Sequence, residues 1–108
     1  MTRLLVLFNL KPGITREEYE RWAREVDLPT VRALDSIEQF DVYRIPGLLG
    51  SQAAAPYRYA EVIDIGDMER FGAEIATVRM REIAARFSQL ADAQFLMTEP
   101  LDSETPAL

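Results

Sequence analysis

The chain contains no cysteine and no histidine. The first absence excludes disulfides, thiol nucleophiles and cysteine-ligated clusters. The second removes the usual general base near neutral pH and the commonest transition-metal ligand. Acid–base chemistry must therefore fall to carboxylates and tyrosines, and neither a metal nor another cofactor is expected. Basic residues are also scarce, 12 Lys and Arg against 18 Asp and Glu, for a net charge of -6. An acidic chain without a basic stripe suits neither nucleic acid nor an anionic membrane, so neither is expected as a partner. Long apolar runs are missing. Met1 to Leu10 is apolar but too short to cross a bilayer, and it lacks the small-residue cleavage site of a signal peptide. A cytoplasmic location is the expectation. No glycine-rich phosphate loop, nucleophile elbow or metal-ligand spacing occurs.

What is present suffices for a packed core. Hydrophobic residues make up 48% of 108 residues, which predicts one domain over residues 1–101 and a flexible C-terminal tail over 102–108. Arg3–Leu10 reads as a buried strand, and Lys11-Pro12-Gly13 as a turn. Thr15 with Glu18 makes a capping box, and Ile14 with Tyr19 a hydrophobic staple. Tyr19, Trp22, Ala23 and Val26 share one helical face, while Glu17/Arg21 and Glu20/Arg24 form i, i+4 pairs on the outer side. Pro29 makes the chain near Asp27 and Leu28 leave or kink the spiral, with a short turn over 30–34 following.

Residues 36–45 and 57–65 read as strands, joined by a small-residue loop over 46–56 that suits either a lid or an arm on a partner. Asp67 caps a helical region that Gly72 and Thr77 divide in two. The second piece carries Met80, Ile83, Ala84, Phe87, Leu90 and Ala91 at helical spacing, and residues 93–100 form the last strand. The order βαββαβ predicts an α+β, ferredoxin-like fold, a four-stranded antiparallel sheet with helices on one face. Strand one is apolar on both parities, yet the helices cover only one face. A homodimer joined through the open sheet face follows as the expectation.

Asp27, beside Trp22 and an apolar sheet, would be desolvated and its pKa raised toward neutrality; the alternative is a solvated helix-end residue. Tyr57, Tyr59 and Glu61 share one parity of their strand, with Tyr43 on the neighbouring one. The set suits a planar aromatic ligand with a carbonyl or ring N–H, or else packs a dimer interface. Asn9 needs a partner if buried. Arg32 and Arg44 could each fix a ligand carboxylate or join a surface ion pair.

The stretch YERWAREVDLPTVRALDSIEQFDVYRI, then PYRYAEVIDIGDMERF and FLMTEPL, resembles the REDY-like (HapK) family of the dimeric α/β-barrel superfamily. Trp22 with Asp27-Leu28-Pro29-Thr30 and Pro56-Tyr57-Arg58-Tyr59 carry the likeness, which spans roughly Leu4 to Leu101. It implies a dimeric α/β barrel and an association with red tripyrrole pigments of the prodigiosin type. EthD-like members of the superfamily carry a histidine near the end of the first helix, where this chain has Asp27. The resulting expectation is a cofactor-independent enzyme or auxiliary protein of pyrrole- or indole-type secondary metabolism. Asp27, Tyr59 and Glu61 would be its catalytic residues, and Trp22, Asn9, Tyr43, Tyr57 and Arg32 would bind the ligand. The reaction class expected of such a site is acid–base cyclisation or tautomerisation, with a cofactor-free monooxygenase or a non-catalytic carrier as alternatives.

Overall fold

The sheet is organised around its first strand. β1 (Thr2–Leu10) pairs antiparallel with β3 (Tyr59–Ile65) on one side and β4 (Ala91–Met97) on the other, and β2 (Ile37–Arg44) extends the sheet beyond β3. The strand order is β2-β3-β1-β4, the ferredoxin-like arrangement expected from the element order. These coordinates come from a computed structural model, which describes residues 1–102. The expected tail over 102–108 lies, apart from Asp102, outside the described residues. None of the described helices is long and apolar enough to cross a membrane.

Local chemistry sets the helix boundaries. α1 (Arg16–Trp22) starts at Thr15, whose Oγ1 accepts from the Glu18 N–H at 3.1 Å. Such a cap stabilises by about 1 kcal/mol. The Glu18 carboxylate turns instead toward Arg86, at 3.4 Å. Asp67 caps α3 (Met68–Ile75), and Thr77 caps α4 (Val78–Leu90). The helical region divides at Thr77 alone. Gly72 lies within α3, where one glycine weakens a helix by about 1 kcal/mol without ending it. Strand β4 starts at Ala91, directly after α4, because an apolar Leu90-Ala91 pair fits either period. Strand β3 starts at Tyr59, since Asn9 holds the preceding segment with its side chain rather than a ladder.

The helix entering from Thr15 does not end at Asp27. It widens into a π-helical turn (Ala23–Asp27) and continues as α2 (Leu28–Arg32). The Leu28 N–H bonds to the Ala23 carbonyl, five residues back. Pro29 has no N–H to offer Glu25, and its ring crowds that carbonyl, so the turn takes in an extra residue. The consequence is a change of phase. On a regular α-helix Asp27 would point roughly 80° away from Tyr19; absorbing one residue cuts this to about 20°. Asp27 is accordingly buried on the same side as Tyr19 and Ala23, while Trp22 and Val26, expected on that face, are half-buried and pack against the core.

All helices pack on one face of the sheet. Leu4, Val6 and Phe8 of β1 meet Ile63 and Tyr59 of β3 and Met80, Ile83, Phe87 and Leu90 of α4. Phe8 is the hub, with ring centroids 5.4 Å from Tyr19, 5.2 Å from Tyr59 and 5.1 Å from Phe87. The opposite face carries Leu5, Leu7, Ala60 and Val62, all half-buried, with Leu96 and Tyr43 exposed. The Arg3 guanidinium forks onto Asp64 at 2.7 and 2.9 Å toward one end of that face.

Candidate functional site

Beneath the π-turn, two carboxyl groups and a phenol come together in an apolar setting. Glu61 occupies the middle of β3 on the helix-covered side, opposite Val6 and Val42 in the ladders. Asp27 descends onto it from the π-turn, and Tyr19 from α1. Asp27 is 5% exposed and Glu61 4%. Burial alone pushes the Asp27 carboxyl up to about 7. Burial, followed by the charge of Asp27, pushes Glu61 up to about 8. The solvated-end alternative for Asp27 is thus not what the fold adopts. Glu61 thus feels the charge of Asp27 on top of its own burial, and of the two it is the group that keeps its proton to the higher pH.

Tyr19 completes this group. Its hydroxyl is fully buried and has no hydrogen-bond partner among the described residues. Its pKa is raised by burial first, then by the charges of Glu61 and Asp27. The phenol therefore stays protonated and keeps an unspent donor, and a buried polar atom of this kind calls for a ligand or water.

A second carboxylate shows the opposite behaviour a turn away. Glu20, expected on the outer side with Arg24, is instead buried. The Arg44 guanidinium forks onto it at 2.8 and 2.9 Å, Arg24 Nη2 reaches it at 3.1 Å, and the Tyr59 hydroxyl donates to Oε2 at 2.8 Å. The Arg44 hydrogen bonds, aided by that from Tyr59 and resisted by burial, hold Glu20 down at about 2. Tyr59 is raised by burial and by the same hydrogen bond, so it remains a phenol whose O–H is already engaged as a donor to Glu20.

A cleft of about 550 Å³ runs between the first helix and β2–β3. Tyr19, Ala23, Leu28 and Val42 line its inner part, and Arg16, Arg24, Arg44 and Tyr59 its mouth. Asp27 and Glu61 themselves do not line the cleft; of the residues around them, Tyr19, Leu28, which follows Asp27 in the chain, and Val42, which pairs with Glu61, do.

The other expected site residues are dispersed. Trp22 stacks toward Phe87 at 6.4 Å and lies 6.3 Å from Tyr19, outside the cleft lining. Both ends of the Asn9 amide are used on backbone, donating to the Pro56 carbonyl and accepting from the Arg58 N–H, each at 2.9 Å. Tyr43 borders the cleft but pairs with Ala60, so its side chain belongs to the open face, opposite Tyr59 and Glu61. Tyr57 precedes β3, where strand alternation does not extend. Its hydroxyl reaches Gln94, the partner of Leu7, on the open-face side, at 3.1 Å. Arg32 donates to the Phe40 carbonyl at 2.8 Å and to Asp41 at 3.1 Å, tying α2 to β2. Glu20 and Tyr19 were not legible as site residues. The available signal was the spacing of Arg16, Glu20 and Arg24 at four-residue intervals, which sets one acid between two bases.

Residues 2–101 match the family model described as REDY-like protein HapK. Among solved structures the chain is similar to HapK from Hahella chejuensis, with 33% identity over 95% of each chain and a TM-score of 0.76. It shares its fold with At3g17210 from Arabidopsis thaliana, at 15% identity over 96% of this chain and 99% of that one, TM-score 0.76. It also shares it with a dimeric ferredoxin-like protein from Thermobifida fusca, at 21% identity over 90% and 88%, TM-score 0.68. No curated protein matches the sequence.

The raised acids fix the sign of a pH effect. The folded state keeps protons on Asp27 and Glu61 that the unfolded chain releases near pH 4, so their contribution to stability is complete below that pH and is lost as pH rises toward about 7 and 8. Thermal melts should therefore show a midpoint that declines from pH 5 to pH 8, and Asp27→Asn should flatten the decline; a wild-type midpoint rising across that range would contradict the assignment.

Proposed function

Because the chain belongs to the REDY-like HapK family, we propose that it is a cofactor-independent acid–base catalyst acting on a planar, pyrrole- or indole-type intermediate of secondary metabolism. The observation that carries this reading is the buried Asp27–Glu61 pair, poised near neutral pH beneath an unpartnered Tyr19 hydroxyl. A catalytic acid or base works best when its pKa lies near the working pH.

In this reading the ionised member of the pair, Asp27, takes a proton from a carbon next to the ligand carbonyl or from a ring N–H. Protonated Glu61 gives a proton to the carbonyl oxygen. The ligand is tautomerised with no change in its atom count, and the pair ends with a proton on Asp27 and none on Glu61; transfer of that proton from Asp27 to Glu61 restores the starting state. Tyr19 supplies a hydrogen bond to the oxygen as negative charge develops there, a contribution that grows in a water-poor site. Tyr59 and Arg44 hold Glu20 at the mouth and keep the cleft wall rigid. General acid–base catalysis of this kind is worth on the order of 10²–10⁴ in rate, which suits an intermediate that is already reactive.

The second part of the proposal is a cytoplasmic homodimer formed through the open sheet face. Leu5, Leu7, Ala60, Val62 and Leu96 form an apolar surface there that a second copy would cover. Sedimentation at micromolar concentration should give a dimer, and Leu7→Glu should give a folded monomer; a monomeric wild type would remove this part.

The chemistry is tested with 2-acetylpyrrole and 3-acetylindole in D₂O, following deuterium uptake at the methyl group beside the carbonyl. Wild-type protein should accelerate uptake, and Asp27→Asn should slow it by about 10² or more. An Asp27→Asn protein that is folded and fully active would refute the role of Asp27. Binding of the ketones without exchange would favour a carrier.

A further inference from the structure

The charge on the walls of the cleft carries information about the ligand that the acid pair does not. A second, outer cleft of about 540 Å³ adjoins the first and shares Arg16, Arg44, Pro46 and Tyr59 with it. Its remaining lining is Asn9, Leu10, Ile45 and Arg58. Three arginines thus line one space whose lining, among the described residues, holds no acidic side chain, on a chain whose net charge is -6.

The available anion does not balance them. Among the described residues, Glu20 is the one carboxylate that Arg16, Arg24 and Arg44 share, at 3.6, 3.1 and 2.8 Å. Arg58 makes no side-chain ion pair among the described residues; its contacts are through its backbone, the N–H to Asn9 and the carbonyl to Ile45. Asn9 therefore fixes the backbone that carries Arg58 and leaves the guanidinium unspent. Arg44 gives Nε and Nη2 to Glu20 and keeps Nη1. The pair of acids deeper in the molecule is half-protonated near neutral pH, so it opposes an incoming anion only weakly.

We propose that the outer cleft binds a carboxylate, and that the ligand of this protein is a planar aromatic acid. Its carboxylate sits among Arg16, Arg44 and Arg58, and its ring extends past Tyr59 toward Tyr19. Planar guanidinium forks match a carboxylate in two-point geometry. The orientation of the ligand follows: the anionic end stays at the mouth and the reacting carbonyl enters toward Asp27 and Glu61. The ring's placement rests on the function proposed above. The carboxylate preference is read as binding alone, so it survives or fails independently of turnover.

The test is calorimetric titration of the full chain with indole-2-carboxylate, indole-2-carboxamide and inorganic phosphate. The acid should bind at least about tenfold more tightly than the isosteric amide, as expected when charge-assisted hydrogen bonds are lost. Arg58→Ala should remove most of that advantage while leaving amide binding within about twofold, and Arg58→Lys should restore part of it. Asp27→Asn should leave the preference intact even where it abolishes deuterium uptake. Equal binding of acid and amide, absence of binding by both, an Arg58→Ala protein with unaltered preference, or phosphate binding more tightly than the acid would each overturn the proposal.

Discussion

Two carboxyl groups that share a dry pocket cannot both ionise cheaply, and the rest of this site follows from that constraint. Removing a carboxylate from water without a cationic partner costs enough that the group keeps its proton instead. Asp27 and Glu61 are both placed in that position, each 95% or more covered. Tyr19 is drawn into the same environment, where its hydroxyl is neither solvated nor paired. The molecule holds this unfavourable group in place through the aromatic packing of Phe8, Tyr19, Tyr59 and Phe87.

Glu20 shows what the same fold does with an acid that it means to keep charged. It lies on α1 next to Tyr19, yet three arginines and a phenol surround it, and its pKa moves in the opposite direction from those of Asp27 and Glu61. Acids of the two kinds stand side by side: a fixed anion that organises cations at the mouth, and a titrating pair farther in. Such divergence of neighbouring carboxyl groups is how a protein assigns distinct roles to chemically similar residues. The arginines are thereby set in place around a cleft, where their surplus charge faces outward.

Much of the architecture is readable from residue patterns, because capping residues and apolar periods are local signals. Thr15, Asp67 and Thr77 mark helix starts that the fold uses. The site is readable only in part. Asp27 and Glu61 stand out as acids in apolar surroundings. Trp22 and Val26 pack against the core as their spacing indicates, but the full burial of Asp27 beside Tyr19 depends on the π-turn over Ala23–Asp27, which a regular helical period does not reveal. Tyr43 illustrates a second limit: parity within a strand says which residues share a face, but only the register between strands says which face a neighbour joins. Glu20 marks a third, since an i, i+4 pair looks alike whether it faces solvent or folds under an arginine from a strand 24 residues away.

The central claim is that burial keeps Asp27 and Glu61 protonated up to about neutral pH. Difference infrared spectroscopy of the folded protein, scanning the protonated-carboxyl stretch from pH 5 to pH 9 in wild type and in Asp27→Asn and Glu61→Gln variants, measures this directly. The account predicts a protonated carboxyl signal that persists at pH 6, disappears in the region of 7 to 8, and is altered in both variants. Complete ionisation of every carboxyl group by pH 6 in the folded wild type would contradict it.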